Sequence, residues 1–332
     1  MITVRRAVIE DIPMIMQFLD EHWLKGYALA HNRELFDWQF VKDGKVNIWI
    51  GVDDDSAEMY AMQGAIVYND EKTPDISAIL WVAKKADNPM LAFDVGDMMW
   101  QGLHTRYGAS PGIAPRVAKL NRTLGNDVVS LDHYYRLGDQ EDYKIALVRN
   151  KIIPKVNDYG YRLEPISSME EFKSVVPEQK LREGVLSKNY RYISWRYFNH
   201  PVFKYDIWKI TNDQGIAEGV LVTREERANE RKACKIVDLY GDSVLFERIT
   251  FQIDKIIAER EYEYADVYSF GVPSIIYEKG GFVRCDVDSE NIITNLFQPY
   301  TQKNSEILMI NPGVSGLRIF RGDGDQDKPR YL

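Results

Sequence analysis

The stretch Tyr277-Glu278-Lys279-Gly280-Gly281-Phe282 decides how the rest of the chain is interpreted. It predicts a short helix that ends on glycine, the residue that most readily takes the backbone conformation found just after a helix. A short helix with a similar ending is predicted at residues 119–125, where Gly125 stands 156 residues before Gly281. This spacing indicates an internal repeat.

Other landmarks recur at the same spacing. Each half begins with an arginine-bearing strand, and each contains a buried strand that leads into a long amphipathic helix, the first of which opens at Asn88-Pro89. Positions 6 and 162, and positions 77 and 233, are again 156 residues apart. The predicted segments are first strands at 3–7 and 161–165, buried strands at 76–83 and 233–239, a second long helix at 245–261, and aromatic segments at 35–40 and 192–197. We therefore predict two tandem domains of one α/β fold (α+β, mixed sheet), residues 1–152 and 158–332, each a mostly antiparallel sheet flanked by helices.

Composition limits the classes of function. With 332 residues, 45% of them hydrophobic, the chain is long enough for two folded domains. A net charge of −8 disfavours broad binding to nucleic acid or to an anionic membrane. Cys234 and Cys285 give no disulfide framework or zinc site, and no apolar run is long enough to span a membrane. We expect a cytoplasmic protein without membrane insertion, and its oligomeric state is left open.

In each half the predicted order of elements, together with Tyr277 and its neighbours, resembles the GNAT acyltransferases, whose closing motif is commonly Tyr-Glu-Lys-x-Gly-Phe. The stretches at 22–40 and 320–329 are similar to those of tandem GNAT-like proteins encoded with capsule and O-antigen biosynthesis genes. The resemblance implies transfer of an acyl group from acetyl-CoA or another acyl-CoA to a small amine. For that group the amine is an amino sugar, carried on a nucleotide, in surface polysaccharide biosynthesis.

The coenzyme-binding loop departs from this resemblance. GNAT proteins usually carry a Gln/Arg-x-x-Gly-x-Gly/Ala loop, whose backbone N–H groups and helix start bind the coenzyme A diphosphate. Residues 84–89 and 240–244 stand in its place, and neither matches. A solvated loop with an ordinary helix cap is the alternative at both places, and Asp242 would compete with phosphate at the second. The candidate cofactor-binding residues are Lys84, Lys85, Asn88, Tyr240, Gly241 and Ser243.

Catalysis by this family requires a deprotonated amine, a stabilised oxyanion and a proton for the leaving thiolate. Asp238, on the predicted central strand, is the candidate base, unless it only ends the strand and caps a turn. Tyr277 matches the tyrosine that protonates the sulfur in many family members, with a packed core tyrosine as the alternative. The offset places Val82 and Asn121 opposite these two residues, which favours chemistry in the second half. The loop better suited to an anion, with Lys84 and Lys85, lies in the first half, so which half is active stays open.

Trp195, Arg196 and His200 form a candidate acceptor pocket, with the arginine on a phosphate and the aromatic rings against a sugar. Trp38 occupies the matching place in the first half, which instead favours a packing role in both halves. The remaining histidines are scattered without ligand spacing, so no metal site is expected.

The acidic stretch 323–327 begins like a calcium loop but lacks the glutamate that such a loop needs twelve positions after its first residue. A solvated acidic C-terminal tail is therefore expected.

Two other functions stay open. Fem-type aminoacyl transferases also contain tandem GNAT-like units and take an amino acid from charged tRNA, which fits the missing coenzyme loops. The third possibility is a scaffold that has lost its donor site and binds a ligand or partner without catalysis.

Overall fold

The structure is a computed structural model that describes residues 1–85, 88 and 90–331. Pro89, which forms part of the predicted helix start and of the predicted loop 84–89, lies outside the described residues together with Ala86, Asp87 and Leu332. In chain order, the first half contains β1 (Ile2–Arg6), α1 (Ile12–His22), α2 (Ala28–His31), α3 (Arg33–Phe40), β2 (Val41–Lys42), β3 (Lys45–Val46), β4 (Ile48–Asp53), β5 (Met59–Val67), β6 (Ile76–Ala83), α4 (Leu91–Leu103), β7 (Gly108–Ile113), α5 (Pro115–Thr123), β8 (Val128–Ser130) and β9 (Asp132–Leu137). The second half contains β10 (Arg162–Ile166), α6 (Met169–Val175), α7 (Glu178–Arg182), α8 (Tyr190–Ile193), β11 (Asp206–Thr211), β12 (Ala217–Ala228), β13 (Arg231–Tyr240), α9 (Leu245–Arg260), β14 (Tyr262–Phe270), α10 (Ser274–Lys279), β15 (Val283–Arg284), β16 (Leu296–Phe297), β17 (Tyr300–Thr301), β18 (Leu308–Ile310) and β19 (Ile319–Phe320).

Two large mixed sheets form the framework, which agrees with the predicted fold class. The first has the strand order β1-β4-β5-β6-β7-β18-β8, and the second has the order β10-β11-β12-β13-β14-β9-β15, with β19 added on β14. In each sheet one neighbouring pair is parallel, β6 with β7 and β13 with β14, while every other described pair is antiparallel.

Each sheet contains a strand from the other half of the chain. Strand β9 follows β8 along the chain but lies between β14 and β15 in the second sheet. In the same way, β18 lies between β7 and β8 in the first sheet. The predicted domain bounds and the tandem duplication stay predictions, but neither sheet is formed by one of the predicted segments alone.

The parallel strands separate towards their ends, and this opens a cleft in each half. In the first sheet β6 and β7 pair only at Ile76 with Gly108 and at Ser77 with Ala109. In the second sheet, pairing of β13 with β14 ends at Ile236. The residues beyond these points, including Asp238, therefore lie on strand ends that are free to contact other parts of the molecule.

Side chains from both halves form one continuous hydrophobic core. At its edge the rings of Trp38 and Trp195 stack at 4.4 Å between centroids. Trp38 Nε1 donates to the carbonyl of Trp195, and Trp195 Nε1 donates to the carbonyl of Trp38, at 3.3 and 2.7 Å. The two aromatic segments noticed in the sequence thus contact each other across the boundary between the halves.

The prediction of a solvated acidic tail is wrong. The segment from residue 319 to 331, called the closing segment below, runs between the two halves, and Asp323 and Asp327 are only 2% and 1% exposed. Asp327 Oδ1 accepts a hydrogen bond from Arg224 NH2 at 2.6 Å, and Asp325 pairs with Lys328. The carboxylates can be buried because cations pair with them, Arg224 from β12 and Lys328 from the closing segment itself.

Candidate active site

A cavity of about 320 Å³ occupies the cleft of the second half. Its walls are the ends of β13 and β14, the loop that follows α7, and the closing segment. Four of the residues singled out in the sequence line it: Asp238, Tyr240, Gly241 and Ser243. The structure therefore brings the predicted base and the second predicted phosphate loop to one place.

Three charged side chains, named the triad here, lie together at the inner wall of this cavity. Lys188 Nζ lies 2.8 Å from Asp238 Oδ2 and 2.8 Å from Asp323 Oδ1. All three residues are buried. With both carboxylates ionised the triad has a net charge of −1, which suits a cavity that receives a cation.

Asp238 is held firmly as a carboxylate. Its Oδ2 accepts hydrogen bonds from Lys188 Nζ, from the Tyr240 hydroxyl at 2.6 Å and from the Tyr197 hydroxyl at 2.8 Å. Its Oδ1 accepts from the amide of Leu239. Burial would raise the pKa of Asp238, but Lys188 and these hydroxyls outweigh it and lower the pKa. Such a carboxylate is a weak proton acceptor.

Asp323 has different surroundings. Its Oδ2 accepts from the amide of Phe320 at 2.9 Å, whereas its Oδ1 accepts no hydrogen bond and has only the nearby charge of Lys188. Burial raises the pKa of Asp323, and the neighbouring charge of Asp238 adds to this. Of the two carboxylates, Asp323 is therefore the stronger proton acceptor.

The sequence interpretation missed Lys188 and Asp323 as site residues. Lys188 is positioned by the first half, since the amide of the preceding Ser187 donates to Asp75 Oδ2 at 2.6 Å. Asp323 is positioned by the passage of the closing segment beside β13, where the amide of Gly322 donates to the carbonyl of Val237 at 2.8 Å. The available signal was the acidic stretch 323–327, whose pattern indicated a solvated tail and no binding site.

Gly322 is required for this close passage. A Cβ atom at position 322 would lie 2.3 Å from the Tyr197 hydroxyl and 3.0 Å from Val237 Cγ1. Any larger residue would push the closing segment, and Asp323 with it, away from the triad.

Comparison with known proteins establishes the fold. No protein-family model and no curated protein sequence matches the chain. A GCN5-related N-acetyltransferase from Anabaena variabilis has a similar structure, with a TM-score of 0.57 and 11% identity over 93% of this chain and 72% of the other. A probable N-acyltransferase from Enterococcus faecalis gives a TM-score of 0.58 and 9% identity over the same shares, 93% and 72%. The N-myristoyltransferase from Saccharomyces cerevisiae, solved with bound myristoyl-CoA, gives 0.50 and 8% identity over 99% and 84%. The chain has the GNAT fold.

The resemblance to GNAT proteins assigns the coenzyme diphosphate to the loop before the long helix. In the second half this loop leads into α9. Gly241 is needed in this turn, because a Cβ there would lie 2.8 Å from Leu245 Cδ1 and 3.0 Å from the carbonyl of Glu218. Asp242 Oδ1 accepts from the amide of Val244 at 2.9 Å, and the amide of Leu245 donates to the carbonyl of Asp242. These N–H groups are therefore satisfied within the turn instead of being free for a phosphate.

The predicted phosphate contacts of the first half do not line this cavity. Lys84 pairs with Glu58, and its ammonium lies 4.2 Å from the centre of the Tyr60 ring. Lys85 is exposed. Asn88 Oδ1 accepts from the amide of Met90, so this side chain caps the turn before α4.

Tyr277 lies apart from the cavity, in the core of the second half. Its ring stacks on Tyr134, which belongs to the exchanged strand β9, and its hydroxyl lies 2.8 Å from the Ser269 hydroxyl. The side chain is fully buried, and burial raises its pKa. Its role as proton donor to sulfur stays a prediction, while its contacts are those of a packed tyrosine.

The three residues predicted to form an acceptor pocket do not line one cavity together, since Trp195 and Trp38 line a small cavity of about 140 Å³ whose lining does not include Arg196 or His200. Trp195 stacks on Trp38, and the His200 ring lies 4.3 Å from the Trp38 ring. Arg196 is buried, and its guanidinium donates to the carbonyls of Gly322 and Asp327. Arg196 thus holds the closing segment in place and faces no open pocket.

Within residues 1–85, 88 and 90–331, no group of His, Cys, Asp and Glu side chains is arranged to hold a metal ion. In the same part of the chain, no helix has the length and apolar character needed to cross a membrane.

Proposed function

We propose that the chain is an acyl-CoA-dependent N-acyltransferase that acts on a small amine, and that the amine binds in the second-half cavity. The observation that carries this proposal is the triad of net charge −1 beside a cavity in a GNAT-fold cleft. A primary amine is protonated at neutral pH, and a buried net negative charge favours its binding. The GNAT fold supports acyl transfer as the reaction class, because the similar structures include an N-acetyltransferase and an N-myristoyltransferase.

Asp323 is the residue that takes the proton in this scheme. The bound ammonium gives one proton to the Asp323 carboxylate, and the free amine attacks the thioester carbonyl. An N–C bond forms, the C–S bond breaks, and the leaving thiolate takes up the proton that the nitrogen loses as it becomes the amide, while the proton on Asp323 returns to solvent. Asp238 stays ionised and, through Lys188, holds the position of the groups that face the amine. The predicted catalytic role of Asp238 thereby becomes a positioning role.

The finer identity of the acceptor rests on the resemblance at residues 22–40 and 320–329. It favours an amino sugar, in nucleotide-linked form, that is used in surface polysaccharide biosynthesis. The second of these stretches includes Asp323, which lines the cavity. An enzyme that is specific for one acceptor would require a distinctive sequence at this place.

The first experiment is isothermal titration calorimetry with acetyl-CoA, propionyl-CoA and free coenzyme A. Saturable binding of a thioester leads to the second step, which measures coenzyme A release with a panel of amines that includes amino sugars and their nucleotide-linked forms. Asp323→Asn is expected to lower turnover at least about tenfold. Asp288→Asn is the control, because this carboxylate is exposed and does not line the cavity. No binding of any thioester, or full turnover in the Asp323 variant, would contradict the proposal.

A Fem-type aminoacyl transferase is the second candidate, and one observation favours it. The start of α9 has its amides satisfied and carries Asp242, so it offers a poor site for a coenzyme diphosphate. A different donor would explain this arrangement. Release of labelled amino acid from charged tRNA in the presence of a cell-wall precursor would support this candidate. The remaining alternative, a non-catalytic scaffold, would be excluded by a bound or co-purified acyl thioester.

A further inference from the structure

The small cavity beside Trp38 and Trp195, called the boundary cavity below, lies between the two halves of the chain. One wall comes from α3, β2 and β5 of the first half, and the other comes from residues 189–195 of the second half. Lys188 lines the second-half cavity, whereas the next residue, Asn189, lines the boundary cavity. The volume of about 140 Å³ has room for several water molecules, which is enough for a ligand with a single ring.

Gln39 is the residue that indicates a ligand in this cavity. It lines the cavity and is only 6% exposed, yet its Nε2 makes no hydrogen bond in the part of the chain that the structure describes. A buried amide without a partner is costly, and most buried amides have one. An apolar side chain of the same size would fill this position on α3 without that cost. The amide is therefore explained by a ligand that hydrogen-bonds to it.

Two further amides line the cavity, and they differ in how they are used. The Asn189 amide is engaged at both ends, because Nδ2 donates to Asp70 at 2.9 Å and Oδ1 accepts from the amide of Tyr192 at 2.8 Å. Asn47 Oδ1 accepts from Arg6 at 2.6 Å, while its Nδ2 donates no hydrogen bond to any described residue. Gln39 and Asn47 thus both have hydrogen-bonding capacity left for a ligand.

The charges that line the boundary cavity are balanced. Lys42 pairs with Asp70. The Arg191 guanidinium donates two hydrogen bonds to the Asp43 carboxylate, at 3.0 and 2.8 Å. Because each cation has a carboxylate partner, the cavity has no excess charge that would hold an ion, and an uncharged ligand is favoured.

The aromatic rings beside the cavity do not offer a free face. Trp38 and Trp195 stack on each other, and they also contact His200 and Tyr192 respectively. A flat heterocycle binds by stacking on an open aromatic face, so this arrangement does not favour one. The rest of the lining includes an aliphatic part, formed by Val41, Ile66 and Val67. Aliphatic side chains next to amides suit a ligand that has both C–H groups and hydroxyls.

We infer that the boundary cavity binds an uncharged hydroxylated ring, the chemistry of a neutral sugar, through the amides of Gln39 and Asn47. A hydroxyl group both donates and accepts hydrogen bonds, so it can pair with either end of an amide. The inference is independent of the proposed function. A neutral sugar has no amine to be acylated, and Asp323 lines the other cavity.

The test is calorimetric titration of the full chain with D-glucose, D-galactose and N-acetyl-D-glucosamine, with uracil as the flat heterocycle for comparison. A ligand with one ring has few atoms that contribute affinity, so we expect saturable binding of at least one sugar with a Kd of about 1–10 mM. The titrations therefore extend to about 100 mM, at least ten times this Kd.

Gln39→Met gives the most informative variant, because it keeps the size of the side chain and removes both hydrogen-bonding groups. We expect it to bind the sugar about tenfold more weakly. The ligand-free variant should unfold at the same temperature as the wild type or higher, since an unpaired buried amide is gone. Gln63→Met is the matched control, because Gln63 is similarly buried, at 8% exposed, and lies outside the boundary cavity. Arg191→Gln, at an exposed position of the lining, should fold and should also weaken binding.

Each other outcome overturns the inference. No saturable binding of any of the sugars, or equal affinity in the wild type, Gln39→Met and Arg191→Gln, would exclude a sugar at this place. Binding of uracil without any sugar would assign the cavity to a flat ligand. Binding that is lost in Asp323→Asn and kept in Gln39→Met would place the sugar in the second-half cavity. If sugars bind as expected but no acyl group is ever transferred, this site stands and the proposed function fails.

Discussion

Replacing Asp238 by asparagine should destabilise the protein much more than replacing Asp323, although both carboxylates contact Lys188. Asp238 accepts three side-chain hydrogen bonds at one buried oxygen. Breaking a buried ion pair by removing one partner costs about 3–5 kcal/mol, and we expect a loss of this size for Asp238→Asn. Asp323→Asn leaves the Lys188–Asp238 pair intact and removes a charge that burial disfavours. We expect this second loss to stay near or below about 1 kcal/mol.

The contributions of Asp238 and Asp323 to the stability of the fold should depend on pH with opposite sign. The folded-state pKa of Asp238 is lowered, so its stabilisation is present above its unfolded pKa of about 4 and is lost as the pH falls through the folded value. The folded-state pKa of Asp323 is raised, so its ionisation costs stability as the pH rises from about 4 through the folded value. At neutral pH asparagine at 323 therefore relieves a cost, whereas asparagine at 238 removes a gain.

Thermal unfolding followed by circular dichroism at neutral pH measures both effects. Since 1 kcal/mol shifts the midpoint of a domain of this size by about 2–4 °C, Asp238→Asn should lower it by about 10 °C. Asp323→Asn should stay within about 3 °C of the wild type, and Asp288→Asn serves as the control. Equal losses for Asp238 and Asp323, or an Asp238 variant as stable as the wild type, would refute the assignment of the two carboxylates.

Three further outcomes are expected. Tyr277→Phe should leave turnover within about twofold and cost about 1 kcal/mol because Ser269 loses its partner; a drop in turnover of about a hundredfold or more, the size of a general acid's contribution, would support the proton-donor role instead. A double-mutant cycle with Trp38→Phe and Trp195→Phe should give a coupling of about 1 kcal/mol in urea unfolding, and independent effects would contradict the interface. Burial first, and then Arg196, lowers the pKa of His200 to about 3, so stability is lost as the pH falls below the unfolded value of about 6.5. His200→Asn keeps an acceptor for the two amides that the imidazole binds. Between neutral pH and roughly pH 4.5 this variant should lose about 2 kcal/mol less free energy of unfolding than the wild type, and an unchanged acid sensitivity would count against this.

Local patterns in the sequence predicted the elements well. The buried strand predicted at 76–83 has those bounds as β6, and the helix predicted at 245–261 is α9, which ends one residue earlier. In both cases the repeat of apolar positions depends only on neighbours along the chain. The exchange of β9 and β18 could not be predicted in this way, because alternation of apolar residues indicates that a strand is buried but does not indicate which sheet it joins.

The candidate site was predicted in part for a similar reason. Asp238, Tyr240, Gly241 and Ser243 were found together because they follow one another at the end of a single strand. Lys188 comes from a loop 50 residues before Asp238 and contacts it only in the folded chain. No local pattern identifies such a partner, so the sequence indicated the strand carboxylate and missed the cation that controls its pKa.

The closing segment shows why an acidic pattern alone was misleading. Asp323, Asp325 and Asp327 occur within five residues, and a run of charges is normally solvated. Burying them is costly unless a cation pairs with each, and here Asp323 shares Lys188 with Asp238 while Asp327 faces Arg224, both cations coming from distant parts of the second half. These pairs hold the closing segment as a fixed wall of the second-half cavity, so that Asp323, and not Asp238 alone, lies where the amine is proposed to bind.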